Sequence, residues 1–256
     1  SALAAVQWER NETDEAAALL ANRLDILERR APPDAIAMGY GIAARVAALA
    51  GNEQRALDLL DSLLALGEAR RLPRLCIASL GERMRLHALR GRSDLCSVVE
   101  RKLQAMVTDL ADHPWGLLGP VVELQVGLAR AYAVVARNDW NEAIVRLDAL
   151  APVAERMRRG RDGIQIYLLR ALARDRCGDD AADQLHESLS MARMWGLARI
   201  LADTHPDLDG LAQPAQPNAA SVGSPARLPD TPQAAAKAAR SATAVRMRAG
   251  RGSLLS

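Results

Sequence analysis

The chain has 256 residues and half of them are apolar, yet it contains no Phe and only four Trp and three Tyr, so Ala and Leu supply most of the hydrophobic half. Both favour helices, and β-branched runs of the kind a sheet needs are missing, which excludes a β architecture. A net charge of +2 is too small to point to a partner; three Cys without CxxC spacing speak for a reducing compartment, and the lack of a signal peptide and of an uncharged apolar run of about 18 residues leads us to expect a cytoplasmic protein with no membrane span.

Read from the N-terminus, five short polar or Gly turns separate two helical patterns: Asn11-Glu12, Gly51-Asn52, Gly91-Arg92, Asn138-Asp139 and Gly178-Asp179, spaced by 40, 40, 47 and 40 residues. Other features keep the same phase. Five residues after each turn residue stand Ala16, Ala56, Cys96, Ala143 and Asp183 (beside Ala182), and seven before it stand Ala4, Ala44, Met84, Ala131 and Ala171. Small residues at facing positions let the two helices of an antiparallel pair pack closely. Gly or Asn at the turn can take the left-handed conformation that closes a helix, and Asn52, Asp139 and Asp179 can cap the next one.

The second helices carry apolar stripes at helical spacing, Ala56, Leu57, Leu60, Leu63, Leu64 in one and Ala143, Ile144, Leu147, Leu150, Val153 in another. Helix pairs are predicted at about 2–30, 33–70, 73–112, 117–158 and 162–195, with a last short helix from Pro206 to Leu211 and no sheet. Pro33, Pro73 and Pro120 fall near first-helix starts, where Pro is tolerated. One such pair cannot bury its own apolar face, so the expected fold is an all-α, right-handed superhelical solenoid of about five pairs over 1–212. The 47-residue step is where a distortion of the array is expected. Residues 213–256 hold six basic residues and one acid, and are expected to be a flexible basic linker or tail.

The segments Asn138-Asp-Trp-Asn-Glu-Ala143 and Gly51-Asn-Glu-Gln-Arg-Ala56 resemble the turn and second-helix start of the tetratricopeptide repeat, and Tyr40 and Tyr167 take the aromatic position of its first helix. The period near 40 departs from the standard 34 of that repeat, and the third pair carries Met84 and Cys96 at its close-contact positions. Such lengthened repeats look like the helical sensor region of the large LuxR-type transcriptional regulators, typified by the maltose-system activator. Ala43–Arg71 and the close Trp195-Gly-Leu-Ala-Arg-Ile-Leu-Ala-Asp-Thr-His-Pro-Asp-Leu carry that texture. The resemblance implies an effector- or partner-binding regulatory domain, with DNA reached only through a helix-turn-helix domain that this chain lacks. No P-loop is present, since the chain contains no Gly-Lys. On that reading the chain is the middle of a longer regulator; the alternative is a stand-alone tetratricopeptide scaffold for protein–protein interaction. Its partner would be a small-molecule effector or a regulatory protein, and a homo-oligomer is compatible with either reading.

No constellation for catalysis stands out, so no enzyme and no cofactor are expected. His87, His113, His186 and His205 are scattered without metal-ligand spacing. Asp203-Thr-His-Pro-Asp-Leu-Asp-Gly210 fails the calcium-loop template and reads as a helix end followed by a Pro-started turn. Binding is expected on the inner face of the first helices. Counting back six from each turn gives Arg45, Arg85, Tyr132 and Leu172; counting back thirteen gives Met38, Ala78, Gln125 and Gln165. Met38, Arg45, Arg85, Gln125, Tyr132 and Gln165 are therefore the candidate site residues, with forked Arg donors suited to a carboxylate or phosphate. The stretch Arg83, Arg85, Arg90, Arg92 reads as a solvated helix face.

Overall fold

The computed structural model describes residues 1–212 as helices joined by turns, with no strand among the described residues. The expected linker at 213–256 lies outside the described residues. The helices are α1 (Ala2–Glu9), α2 (Thr13–Leu20), α3 (Leu24–Arg30), α4 (Pro33–Leu49), α5 (Glu53–Ala69), α6 (Pro73–Ala88), α7 (Ser93–Asp109), α8 (Gly119–Ala136), α9 (Trp140–Arg156), α10 (Gly160–Cys177), α11 (Ala182–Met194), α12 (Ile200–Thr204) and α13 (Leu208–Ala212). Consecutive helices pack in pairs: α1 with α2, α4 with α5, α6 with α7, α8 with α9 and α10 with α11. The first helices also meet one another, α1 against α4, α4 against α6 and α6 against α8.

The local chemistry explains each pair. All five turn residues, Asn11, Gly51, Gly91, Asn138 and Gly178, have positive φ. Each closes a first helix in the left-handed region, where Gly and Asn are least penalised. Asn52 accepts from the backbone N–H of Arg55 at 3.0 Å and Asp139 from that of Glu142 at 3.3 Å, which caps α5 and α9. Pro33 and Pro73 open α4 and α6, and Pro120 lies in the first turn of α8. Ala16, Ala56, Cys96 and Ala143 are buried, as are Ala4, Ala44, Met84, Ala131 and Ala171. In the third pair the close approach is direct, with Cys96 Sγ 3.7 Å from the Met84 carbonyl oxygen. Between pairs, Gly67 lets α5 approach the start of α6; a Cβ there would stand 2.6 Å from Cys76 Sγ and 3.0 Å from its backbone N.

Three details differ from the sequence expectation. The second half of the first pair is broken into α2 and α3, where Asn22 takes a φ of 54°. The extra residues of the 47-residue step form the connection from Leu110 to Leu118, which ends in a 3₁₀ turn at Gly116–Leu118. The last second helix, α11, starts at Ala182, two residues later in the repeat frame than its counterparts. The N-cap residue is then Ala181, which has no side-chain cap, and Asp180 just before it accepts from the Ala182 N–H at 3.0 Å; Asp179 does not cap the helix. Leu185 is buried in place of Asp183, which is exposed.

The segment Gly116–Ala136 is long and apolar enough to cross a membrane, but half of that stretch is buried against its neighbours. That profile also suits the central helix of a packed core, and Val122, Leu124, Val126 and Tyr132 lie within the largest apolar cluster.

Gly51 and Gly41 separate turn from helix effects. Gly51 sits at φ +76°, whereas Gly41 lies inside α4 with open space where a Cβ would go. Gly51→Ala should destabilise by about 1 kcal/mol, while Gly41→Ala should stabilise by roughly 0.5–1 kcal/mol. Urea midpoints of the two variants check this; a neutral Gly51→Ala would contradict the turn assignment.

Candidate functional site

Arg45, Arg85, Tyr132 and Gln165 lie on α4, α6, α8 and α10. The structure brings all four together, and what they surround is the chain's own segment Arg199–His205. Tyr132 donates to the Thr204 carbonyl oxygen at 3.1 Å and receives a hydrogen bond from Gln165 Nε2 at 2.5 Å. Arg85 Nη1 donates to the Asp203 carbonyl oxygen at 2.6 Å. Arg45 Nη1 donates to Asp203 Oδ2 at 3.1 Å. These carbonyls end the five-residue α12, and the last four carbonyls of any helix lack a partner within it. Arg85 and Tyr132 thus cap α12 from other elements, with the cation placed where the helix dipole favours it.

Asp203 is the hub. It is 4 % exposed. Its Oδ2 also accepts from Trp8 Nε1 at 2.6 Å, across 195 residues of sequence. Arg161 Nη2 stands 3.6 Å from the same oxygen and Arg199 Nε 3.3 Å from Oδ1. The Arg199 contact is an ion pair without hydrogen-bond alignment, and its Nε is buried without a hydrogen-bond partner. The Arg199 guanidinium also lies over the Trp8 ring at 4.2 Å, and its backbone N–H donates to the Glu9 carbonyl oxygen at 3.1 Å.

A second carboxylate, Glu82, organises the arginines. Arg45 grips it with Nε at 2.9 Å and Nη2 at 2.8 Å, and Arg85 adds Nη2 at 2.6 Å. Arg161 pairs with Glu9 and donates to Gln165 Oε1 at 3.1 Å. Burial pushes the Glu82 carboxyl up, but the Arg45 and Arg85 guanidiniums outweigh it and bring its pKa down to about 2. Asp203 follows the same balance: burial raises it, Arg45, Arg85, the Trp8 hydrogen bond and Arg161 lower it, and it ends below the usual carboxylate range. Burial opposes the charge on Arg45, but Glu82 and Asp203 overcome it and the guanidinium binds its proton more tightly than usual. Tyr132 is pushed up chiefly by burial.

The other predicted residues fall outside this cluster. Met38 is 41 % exposed. Gln125 has its Oε1 buried without a hydrogen-bond partner. Leu172 lies in the apolar cluster that α10 shares with α11 to α13. The arginines read as a solvated face are mostly paired: Arg83 with Asp61, Arg90 and Arg92 with Glu53, and Arg85 buried as above. Trp8, Glu9, Glu82, Arg161, Arg199 and Asp203 were missed. For Glu82 a signal existed, because it stands one helical turn before Arg85; the local sequence around Asp203 signals only a turn.

Two mostly apolar grooves open elsewhere. One of about 540 Å³ is bordered by Ala17, Ala43, Val46 and Arg55, and one of about 510 Å³ by Gly67, Cys76, Lys102, Met106 and His113. Neither includes a residue of the Asp203 cluster. Among the described residues no group of three or more His, Cys, Asp or Glu is placed to hold a metal ion. No family model, curated protein or solved structure matches the chain. The described residues form an all-helical protein whose consecutive helices pack in pairs.

The buried ionisable groups set a pH dependence. Glu82 and Asp203 have pKa values depressed from ordinary values of 4.5 and 3.8, so the stability they confer is present above that range and lost as the pH falls toward about 2. His87 and His205 lie below their ordinary 6.5, chiefly through burial, so protonation of the unfolded chain weakens the fold as the pH drops below that value. Urea midpoints should decline gently from about pH 7 to 5 and steeply below about 4.5. A flat profile down to about pH 3.5 would contradict the cluster's ionisation.

Proposed function

We propose that residues 1–212 are a tetratricopeptide-like solenoid that binds a partner, and that the chain serves as the effector- or partner-sensing region of a LuxR-type transcriptional regulator in the cytoplasm. On this reading it is a binding module and not an enzyme, and it reaches DNA only through another domain.

The observation that carries the binding reading is the convergence of Arg45, Arg85 and Tyr132, from three successive pairs, on a single stretch of peptide, with Gln165 of the next pair holding the Tyr132 hydroxyl. A face that already reads a carboxylate and two main-chain carbonyls has the donors a peptide partner needs.

Contacts that recur in register support the repeat reading. Tyr40 and Tyr167, in equivalent first-helix positions, each donate to a Glu twelve residues earlier, Glu28 and Glu155. Arg83 and Arg170, again equivalent, each pair with an Asp twenty-two residues earlier, Asp61 and Asp148. These bonds join α4, α6 and α10 to the helices α3, α5 and α9 that precede them, as stacking of like units requires. The apolar clusters also succeed one another along the chain, from α1, α2 and α4 to α10 through α13. The LuxR-type assignment rests on the sequence texture of Ala43–Arg71 and Trp195–Leu208. A stand-alone interaction scaffold would use the same face.

The test is a thermal-shift panel on the full chain and on Arg45→Ala, with acidic peptides, dicarboxylates, amino acids and phosphorylated sugars. A ligand at about a hundred times its Kd should add about 2.7 kcal/mol, or roughly 5–10 °C in Tm. The shift should vanish in Arg45→Ala. If no member of the panel shifts the wild type or a variant with its Arg199–His205 segment freed, the reading is overturned.

A further inference from the structure

We propose that Arg199–His205 is a built-in occupant of this binding face, and that the external partner is an acidic peptide segment that displaces it by presenting a carboxylate and two free main-chain carbonyls in the same order. The inference rests on the partner-binding reading and adds to it the partner's chemistry and an autoinhibitory contact.

Beside the apolar packing of Ile200 and the Arg199 contacts with Trp8 and Glu9, the segment is held through groups that any Asp-containing peptide offers. Three of its contacts are the Asp203 carboxylate, the Asp203 carbonyl and the Thr204 carbonyl, taken by Arg45 with Trp8, by Arg85 and by Tyr132. A helix of five residues has little stability of its own. It follows Gly196, which turns at φ +69°, and precedes Pro206, so the chain bends on both sides of it. Such a segment stays in place through the face and not through its own hydrogen bonds.

Charge points the same way. Without the segment the face would hold three guanidiniums, Arg45, Arg85 and Arg161, against two carboxylates, Glu9 and Glu82. Two of those guanidiniums share Glu82, so the face carries a cationic surplus that calls for an anion. Asp203 supplies it, but the fit is incomplete. On the face itself, Glu9 Oε2 and Arg161 Nη2 are buried without a hydrogen-bond partner. A partner that satisfies that edge as well as the Arg45–Arg85 edge gains contacts the resident segment does not make. It must also overcome the resident's high effective concentration, which is of millimolar order for a short tether.

The experiment uses the full chain and a fluorescein-labelled peptide of residues 199–206, read by anisotropy. Asp203→Ala removes the segment's anchor and leaves the face untouched; hydrogen exchange of the 199–205 amides reports its release while α4 to α10 stay protected. The labelled peptide should bind Asp203→Ala at least tenfold more tightly than wild type. The Asp203→Asn version of the peptide should lose at least tenfold, and so should adding Arg85→Ala to the Asp203→Ala chain. Should Asp203→Ala fail to fold, Ile200→Ala, which removes the segment's buried apolar anchor, takes its place with the same expectation. Equal affinity for wild type and the released variant would overturn the autoinhibitory contact and leave the partner-binding reading standing. No binding to a variant whose segment is shown to be released would overturn both.

Discussion

A buried carboxylate draws both ends of the described chain together. Asp203 joins Trp8 of the first helix to arginines on α4 and α10 and to Arg199 at the start of α12, while its own carbonyl binds Arg85 of α6. Burying a charge costs several kcal/mol unless partners and hydrogen bonds compensate, and removing one partner from such a cluster costs roughly 3–5 kcal/mol. Here the compensation comes from five elements at once. Helices that make mostly local contacts are thereby linked through one residue, and the polar face they share is closed by the chain itself.

That arrangement explains why a face rich in Arg, Tyr and Gln can be buried in a helical protein. Arg85, Gln165 and Tyr132 are all nearly inaccessible, and a set of unpaired donors there would be strongly unfavourable. Glu82 fixes two of the guanidiniums in forked geometry, and Asp203 with Thr204 supplies the remaining acceptors. Buried ion clusters are seldom a source of net stability compared with apolar packing. What the cluster does fix is an arrangement of donors around one carboxylate and two main-chain carbonyls.

Much of the helical framework is legible in the sequence because its determinants are local. Asn11, Gly51, Gly91, Asn138 and Gly178 close helices through their own backbone preferences, and Asn52 and Asp139 cap through bonds three residues away. The repeat frame carried those local facts to the inward positions, so Arg45, Arg85, Tyr132 and Gln165 could be found by counting. Counting failed where the frame slips. Two additional residues before α11 moved the burial from Asp183 to Leu185. It also could not give Asp203 a role, since the segment Asp203-Thr-His-Pro carries only turn signals and its partner Trp8 lies 195 residues away. Met38, at an equivalent position, faces solvent because the cluster forms farther along α4, at Arg45.

The coupling of α1 to α12 through Asp203 is tested most directly by a double-mutant cycle between Trp8→Phe and Asp203→Ala, with stability read from urea unfolding of the full chain. Trp8→Phe keeps an aromatic ring and removes the indole N–H donor. A buried hydrogen bond to a charged acceptor predicts a coupling energy of about 1.5–3 kcal/mol. Additivity of the two substitutions within about 0.5 kcal/mol would contradict it.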